Sequence, residues 1–248
     1  MVEREDRAPV GTFHAPGTWQ RGGRLELDAS AAHHAVVKRL AVGDIVRLSS
    51  GDGRRALGEI TELSKRRFVV MVADAEIEEV RQPARVEVWA PVGDRERMLM
   101  LAEKCVELGA SAWRPIVYNR SRSVTPRGEG DGFRDKVRLR QIGALEQSGG
   151  AWLPEMHTEA TLAAALTAAA PAGRGSLLLD VHGESLGDVV NSLEVPVRIA
   201  LGPEGGLEES ERAQFVGAGW RRVSLGANVL RFETAGIAAL AVVRSHLR

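Results

Sequence analysis

A single cysteine, Cys105, stands in 248 residues, so no internal disulfide is possible, and this scarcity suits a reducing cytoplasm. No apolar run approaches the length needed to span a bilayer, so no membrane partner is expected. Met1–Arg7 is charged and has no apolar core, and a secretory signal is not expected. Without that route the formal glycosylation triplet Asn119-Arg120-Ser121 carries no weight. No Cys/His cluster has zinc spacing, and no metal is expected. Net charge is missing too, with 33 Lys and Arg against 33 Asp and Glu, which on its face argues against a nucleic-acid partner. What the chain does have is 44% hydrophobic residues, ample for one large or two modest cores.

The charge is balanced globally but not locally. Residues 1–82 carry 13 basic and 13 acidic groups, and residues 141–248 carry 8 and 12. Residues 114–140 hold 8 basic against 3 acidic, among them Arg120, Arg122, Arg127, Arg134 and Arg138. Such a stripe on a balanced protein reads as an electrostatic footprint for RNA, or equally as a solvated helix face.

Residues 1–82 read as a small β-rich domain, with strands expected near Arg24–Leu27, Asp44–Ser49, Ala56–Leu63 and Phe68–Ala73. A helix from Ser30 to Leu40, with Ser30 as N-cap, interrupts them. Its His33-His34 pair is poorly placed to share a ligand, because neighbours on a helix diverge by about 100°. A structural or RNA-contacting role fits better than catalysis. Pro83 marks the boundary to a second domain, 83–248. There strands alternate with helices, and the short apolar runs Ser176–Val181 and Val197–Leu201 suit a parallel sheet covered on both faces. In the helix Asp94–Leu108, Met98, Leu101, Cys105 and Leu108 recur at helical spacing, which makes Cys105 a core residue. The pattern predicts an open α/β sheet with its site at the strand ends.

The stretch 199–235 organises this domain. A strand runs into Gly202-Pro203-Glu204-Gly205-Gly206, and a helix opening with Glu208, Glu209 and Glu211 follows. Carboxylates there meet the positive end of the helix dipole. The plan repeats with a strand Arg222–Leu225, a loop through Gly226 and Arg231, and a closing helix from Phe232. Neither loop has the dinucleotide or P-loop spacing, and a Pro and a Glu suit a phosphate poorly. A neutral or zwitterionic ligand held by bare backbone fits better.

Gly202-Pro203-Glu204-Gly205-Gly206 with Leu225-Gly226…Val229-Leu230-Arg231-Phe232-Glu233-Thr234-Ala235 resembles the SPOUT methyltransferases. Within them the chain is similar to the enzymes that methylate N3 of a uridine in the decoding region of 16S ribosomal RNA. Lys104-Cys105-Val106-Glu107-Leu108-Gly109, Glu146-Gln147-Ser148-Gly149 and Leu153-Pro154-Glu155 match that pattern as well. The resemblance implies an α/β trefoil knot at the C-terminus, a smaller PUA-like RNA-binding β-barrel at the N-terminus, and S-adenosyl-L-methionine as cofactor. It places the cofactor against Val181, His182, Leu201, Gly202, Pro203, Glu204, Gly205, Gly206, Leu225, Gly226, Val229, Leu230, Thr234 and Ala235. His33, His34 and Arg39 match the RNA-binding motif of the first domain, and Arg120, Arg122, Arg134 and Arg138 are expected on RNA phosphates.

Uridine N3 must lose its proton as it accepts a methyl group. Alignment of donor and acceptor and stabilisation of the developing uracil anion are the tasks of the site. Arg231 is the candidate for the second, with an ion pair to Glu233 or Glu204 as its structural alternative. Glu204 is a candidate base or, preferably, a fixer of its loop. Two positions depart from the family pattern: Gly150 follows Gly149 where an arginine is usual, and an arginine is missing near Phe13. Ribose 2′-O methylation of transfer RNA and a non-catalytic RNA-binding role remain as alternatives. The closing helix is apolar nearly all round, with Ile237, Leu240, Val243 and Leu247 in one stripe, and together with the resemblance this predicts a homodimer. The expected RNA partner is 16S ribosomal RNA or the assembled small subunit.

Overall fold

The computed structural model describes residues 8–73, 77–123 and 130–247, the side chains of residues 122, 123, 130 and 131 excepted. The expectations for the Arg122 side chain and for Arg127 lie outside the described residues. The chain divides into two compact units, Met1–Gln82 with Ile142–Leu153, and Pro83–Gln141 with Pro154–Arg248.

In chain order the first unit holds β1 (Thr12–His14), β2 (Arg24–Leu27), α1 (Ala29–Val37), β3 (Ile45–Ser49), β4 (Arg54–Leu63), β5 (Phe68–Val72) and β6 (Glu78–Glu79). They form one sheet in the order β1-β3-β4-β5-β2, with β6 also on β4. Only β1 and β3 run parallel. Along β4, Ala56, Gly58 and Ile60 are buried between half-exposed neighbours, the period of two expected of a sheet with one wet face. Phe13, Leu48, Ile60 and Phe68 fill the core with Ala32 and Ala35 of α1. Asp28, not Ser30, caps α1, its carboxylate accepting the Ala31 N–H at 2.8 Å. An ionised cap also meets the helix dipole, so it outcompetes the serine two residues on. At the other end Arg39 holds φ 60°, a left-handed turn usually left to glycine.

Ile142–Leu153, which the sequence assigns to the second domain, is bonded to the first sheet. Glu146 accepts the His14 N–H at 2.9 Å, Leu153 donates to Gly51 at 2.8 Å, and Arg55 donates to the Gly149 carbonyl at 3.1 Å.

The second unit contains β7 (Val86–Pro91), α2 (Arg95–Glu107), β8 (Ala112–Val117), the first part of α3 (Gly130–Ser148), β9 (Glu155–Met156), β10 (Ala160–Thr161), α4 (Leu162–Ala168), β11 (Ser176–Ser185), α5 (Leu186–Val189), β12 (Val197–Ala200), α6 (Glu209–Gly217), β13 (Arg221–Ser224) and α7 (Phe232–His246). All its strands are parallel, in the order β10-β8-β7-β12-β11-β13, with β9 beside β8. Both faces are covered, and consecutive strand residues serve opposite cores. Val88, Ile199 and Leu177 pack with α2 and α7; Trp89, Ala200 and Leu178 pack with Phe215 and Trp220. Cys105 is buried among the former, where burial pushes its thiol above the ordinary value. The α7 stripe also belongs there: Leu240 and Val243 are fully buried in their own unit. Gly236 lets α7 come close, since a Cβ would lie 2.8 Å from Leu101 and 2.9 Å from Leu201.

One irregularity positions the site. β13 pairs with Leu177–Leu179 of β11 and again with Glu184–Ser185, and Val223 stands opposite both Leu179 and Glu184. Asp180–Gly183 therefore leaves the ladder as a bulge.

Candidate functional site

The C-terminal ends of three adjacent parallel strands meet at one cavity of about 260 Å³. The bulge of β11 forms one wall, the loop after β12 the second, and the loop after β13 with the start of α7 the third. Parallel α/β sheets bind ligands at this edge because the loops there are free of ladder duty. Gly206 at φ 71° and Gly226 at φ 139° make the two tight turns, conformations in which a side chain would be strained. The helix expected after the first loop starts as predicted: Glu208 is its N-cap, and its N–H donates to Glu211 Oε2 at 2.9 Å in a capping box.

Of the expected cofactor residues, Val181, Leu201, Gly202, Pro203 and Gly206 line the cavity. So do Leu225, Gly226, Val229, Leu230 and Ala235. Val181, Val229 and Leu230 are exposed apolar side chains at its mouth. His182, Glu204, Gly205 and Thr234 are not among the lining residues. His182 is exposed, and its backbone N–H donates to Asp180 Oδ1 at 3.0 Å. A Cβ on Gly205 would meet Arg120 at 3.1 Å, and the Gly205 carbonyl accepts from Arg120 at 3.0 Å. The second glycine of the pair faces the cavity; the first faces that arginine.

Glu204 is held by Arg97 of α2, which donates to it. The same guanidinium lies 3.9 Å from Glu233, a buried carboxylate in the first turn of α7 whose other oxygen has no partner among the described residues. Arg97 thus ties the first site loop to the start of α7. Arg231, exposed at the N-cap of α7, makes neither of the ion pairs considered for it.

Sequence reasoning missed four polar lining residues: Asp180, Arg212, Ser224 and Asn228. Asp180 and Arg212 lie on different elements and join only through the fold. Burial alone would raise the Asp180 pKa; the His182 N–H and the guanidinia of Arg222 and Arg212 outweigh it and hold the carboxyl below its ordinary value.

The basic stripe is less continuous than its sequence. Arg114 is nearly buried, paired with Glu87 at 2.6 Å. Arg134 donates to the Met156 carbonyl at 3.0 Å, Arg140 pairs with Glu103 at 3.3 Å, and Arg138 is half-buried. In the first unit His33 and Arg39 are exposed, while His34 turns to Glu146 at 3.6 Å and to the edge of Phe13. Among the described residues no helix is long and apolar enough to cross a membrane.

Comparison with known proteins sorts these features. The ribosomal RNA small subunit methyltransferase E of Bacillus subtilis is 27% identical over 88% of this chain and 89% of its own. The enzyme of that name from Neisseria gonorrhoeae, solved bound to S-adenosyl methionine, aligns with TM-score 0.84 and 25% identity over 95% of this chain and 97% of its own. A Legionella pneumophila structure with bound SAM aligns with TM-score 0.84 and 29% identity over 94% and 96%. Residues 27–72 match the RNA methyltransferase PUA domain. Residues 80–244 match the RNA methyltransferase domain, and the chain belongs to that family.

Proposed function

We propose that this protein transfers a methyl group from S-adenosylmethionine to N3 of a uridine in small-subunit, 16S ribosomal RNA. The observation that carries the reading is the cavity at the ends of β11, β12 and β13, framed by two glycine turns, in a chain similar along most of its length to enzymes named for small-subunit ribosomal RNA. The residues fit that cofactor. The mouth offers apolar faces for a purine, the loops offer bare backbone, and among the described lining residues Arg212 is the one basic side chain, short of the cluster a phosphate calls for. Bound there, the cofactor supplies a methyl group on a positively charged sulfur.

The rest falls to this chain's side chains and loops. Uridine N3 would give up its proton to solvent as it took the methyl group, and the chain's own task is to hold the base in line with the cofactor and to steady the charge left on it. Arg231, without an ion-pair partner among the described residues, is the group for the negative charge that develops on uracil. Glu204, tied to Arg97, acts chiefly by fixing its loop. Residues 1–82 act as the RNA-binding PUA-like domain and 83–248, apart from the segment 142–153 bonded to the first sheet, as the catalytic one. We read the strand crossing around β12, which stands between β7 and β11, as the expected trefoil knot. A homodimer through the second unit rests on the family resemblance alone, since Leu240 and Val243 of α7 are buried in their own unit.

Nucleoside mass spectrometry of 16S RNA from cells lacking the protein tests the substrate. Loss of 3-methyluridine is the expected result; loss of a ribose-methylated nucleoside, or of none, overturns it. Arg231→Met should keep cofactor affinity and lose methyl transfer in vitro.

A further inference from the structure

Among the residues lining the cavity, two carry formal charge, one of each sign: Asp180 on the bulge of β11 and Arg212 on α6. They are partners, with Arg212 Nε 3.3 Å from Asp180 Oδ2. The Asp180 side chain is 6% exposed, so the charge is fixed rather than free to move into solvent. Its oxygens also take the His182 N–H at 3.0 Å and Arg222 Nε at 3.1 Å. Arg212 is only partly committed. Its Nε serves Asp180 and one terminal nitrogen reaches Glu209 at a long 3.5 Å, while the other terminal nitrogen has no hydrogen-bond partner among the described residues.

A ligand with an adenosine end and an amino-acid end poses a problem for this pocket. The adenosine end is neutral and suits the apolar mouth and bare loops. The amino-acid end carries a carboxylate and an ammonium, and neither is stable against apolar walls without a partner. The pocket has one place where both signs of charge stand side by side.

We propose that Asp180 and Arg212 form the subsite for the amino-acid end of the cofactor, Arg212 taking its carboxylate and Asp180 facing its ammonium. This rests on the reading of the cavity as the S-adenosylmethionine site and adds which wall the methionine half occupies. Asp180 has a second task. Held by Arg222 and the His182 N–H, it aims the Arg212 guanidinium along the cavity wall. The geometry also accounts for a charge pair in an otherwise neutral pocket.

The test compares two probes by calorimetry on the full chain: S-adenosylhomocysteine, which has the amino-acid end, and 5′-methylthioadenosine, which lacks it and keeps the same adenosine and thioether. Wild type should prefer the first by about tenfold or more, the scale of a charge-assisted contact. Arg212→Gln should close that gap by weakening S-adenosylhomocysteine while leaving 5′-methylthioadenosine unchanged. Asp180→Asn should act in the same direction. A wild type with no preference, or an Arg212→Gln variant that keeps it, overturns the proposal. If Arg212→Gln loses both probes, Arg212→Lys decides: the preference must return with the charge, and its failure to return counts against the subsite. A wild type that binds neither probe overturns the cofactor reading itself, and the subsite with it.

Discussion

Replacing Arg97 with Met tests whether one guanidinium holds the first site loop against the start of α7. The substitution keeps most of the stem and removes the charge. Two carboxylates lose a partner, and they are not equal. Glu204 and Arg97 are each about a third exposed, at 31% of the side chain, and such a pair contributes about 0–1 kcal/mol. Glu233 is 8% exposed, 3.9 Å from Arg97, with its second oxygen unpartnered. Leaving a buried carboxylate without its countercharge costs about 3 kcal/mol or more. The sum, about 3–4 kcal/mol, corresponds to a fall of very roughly 6–16 °C in Tm at 2–4 °C per kcal/mol for a chain of this size. Urea denaturation of the wild type, Arg97→Met, Glu233→Gln and the double variant closes the cycle. Because Gln needs no countercharge, Glu233→Gln should recover more than half of the loss in the Arg97→Met background. An Arg97→Met variant within about 0.5 kcal/mol of wild type, or a double variant with additive costs, would refute the argument.

Further outcomes are expected. Gly226→Val forces a β-branched residue to φ 139°, a strain of about 1–3 kcal/mol that should lower Tm by about 2–12 °C and weaken S-adenosylhomocysteine binding about tenfold; unchanged affinity would remove that loop from the site. Arg39→Gly relieves a left-handed arginine and should stabilise the first unit by about 1 kcal/mol, while RNA affinity falls, both read on the full chain by denaturation and filter binding. Burial raises the Glu146 pKa above its ordinary 4.5, against the opposing His14 N–H and the charges of His34 and Lys38. The folded state therefore binds more protons than the unfolded one just above pH 4.5, and this carboxyl lowers stability as pH rises through that window. Glu146→Gln should flatten the decline, and denaturation midpoints between pH 4 and 7 that parallel wild type would contradict it.

The parts of this molecule that were legible in the sequence are local. Carboxylates at 208, 209 and 211 after a glycine run announce a helix start, because the cap and the dipole act within one turn. The two-loop site was legible for the same reason: each loop is contiguous. The segment Ile142–Leu153 was not, because its partners Gly51 and Arg55 are about ninety residues or more away in the chain. Arg97 escaped for the same reason, being 107 residues from Glu204. Asp180 and Arg212 offer no motif, and only their convergence on one wall gives them meaning. Gly205 and Gly206 show a finer limit, since adjacent residues in a turn face different ways. The three-residue β1 is too short to declare an alternation.

The bulge of β11 sets a rule about length rather than about side chains. Val223 fixes the strand on both sides of Asp180–Gly183, and a Cβ on Gly183 would come within 2.5 Å of the Val223 nitrogen. Removing one residue from those four would have to unzip Glu184 and Ser185 from β13 or drag α5 along the sheet. Adding one would push Asp180 out of reach of Arg222. The segment can therefore exchange its side chains at Val181 and His182 while its count of residues is locked, and a library that varies identity there should yield folded protein where a library of insertions and deletions does not.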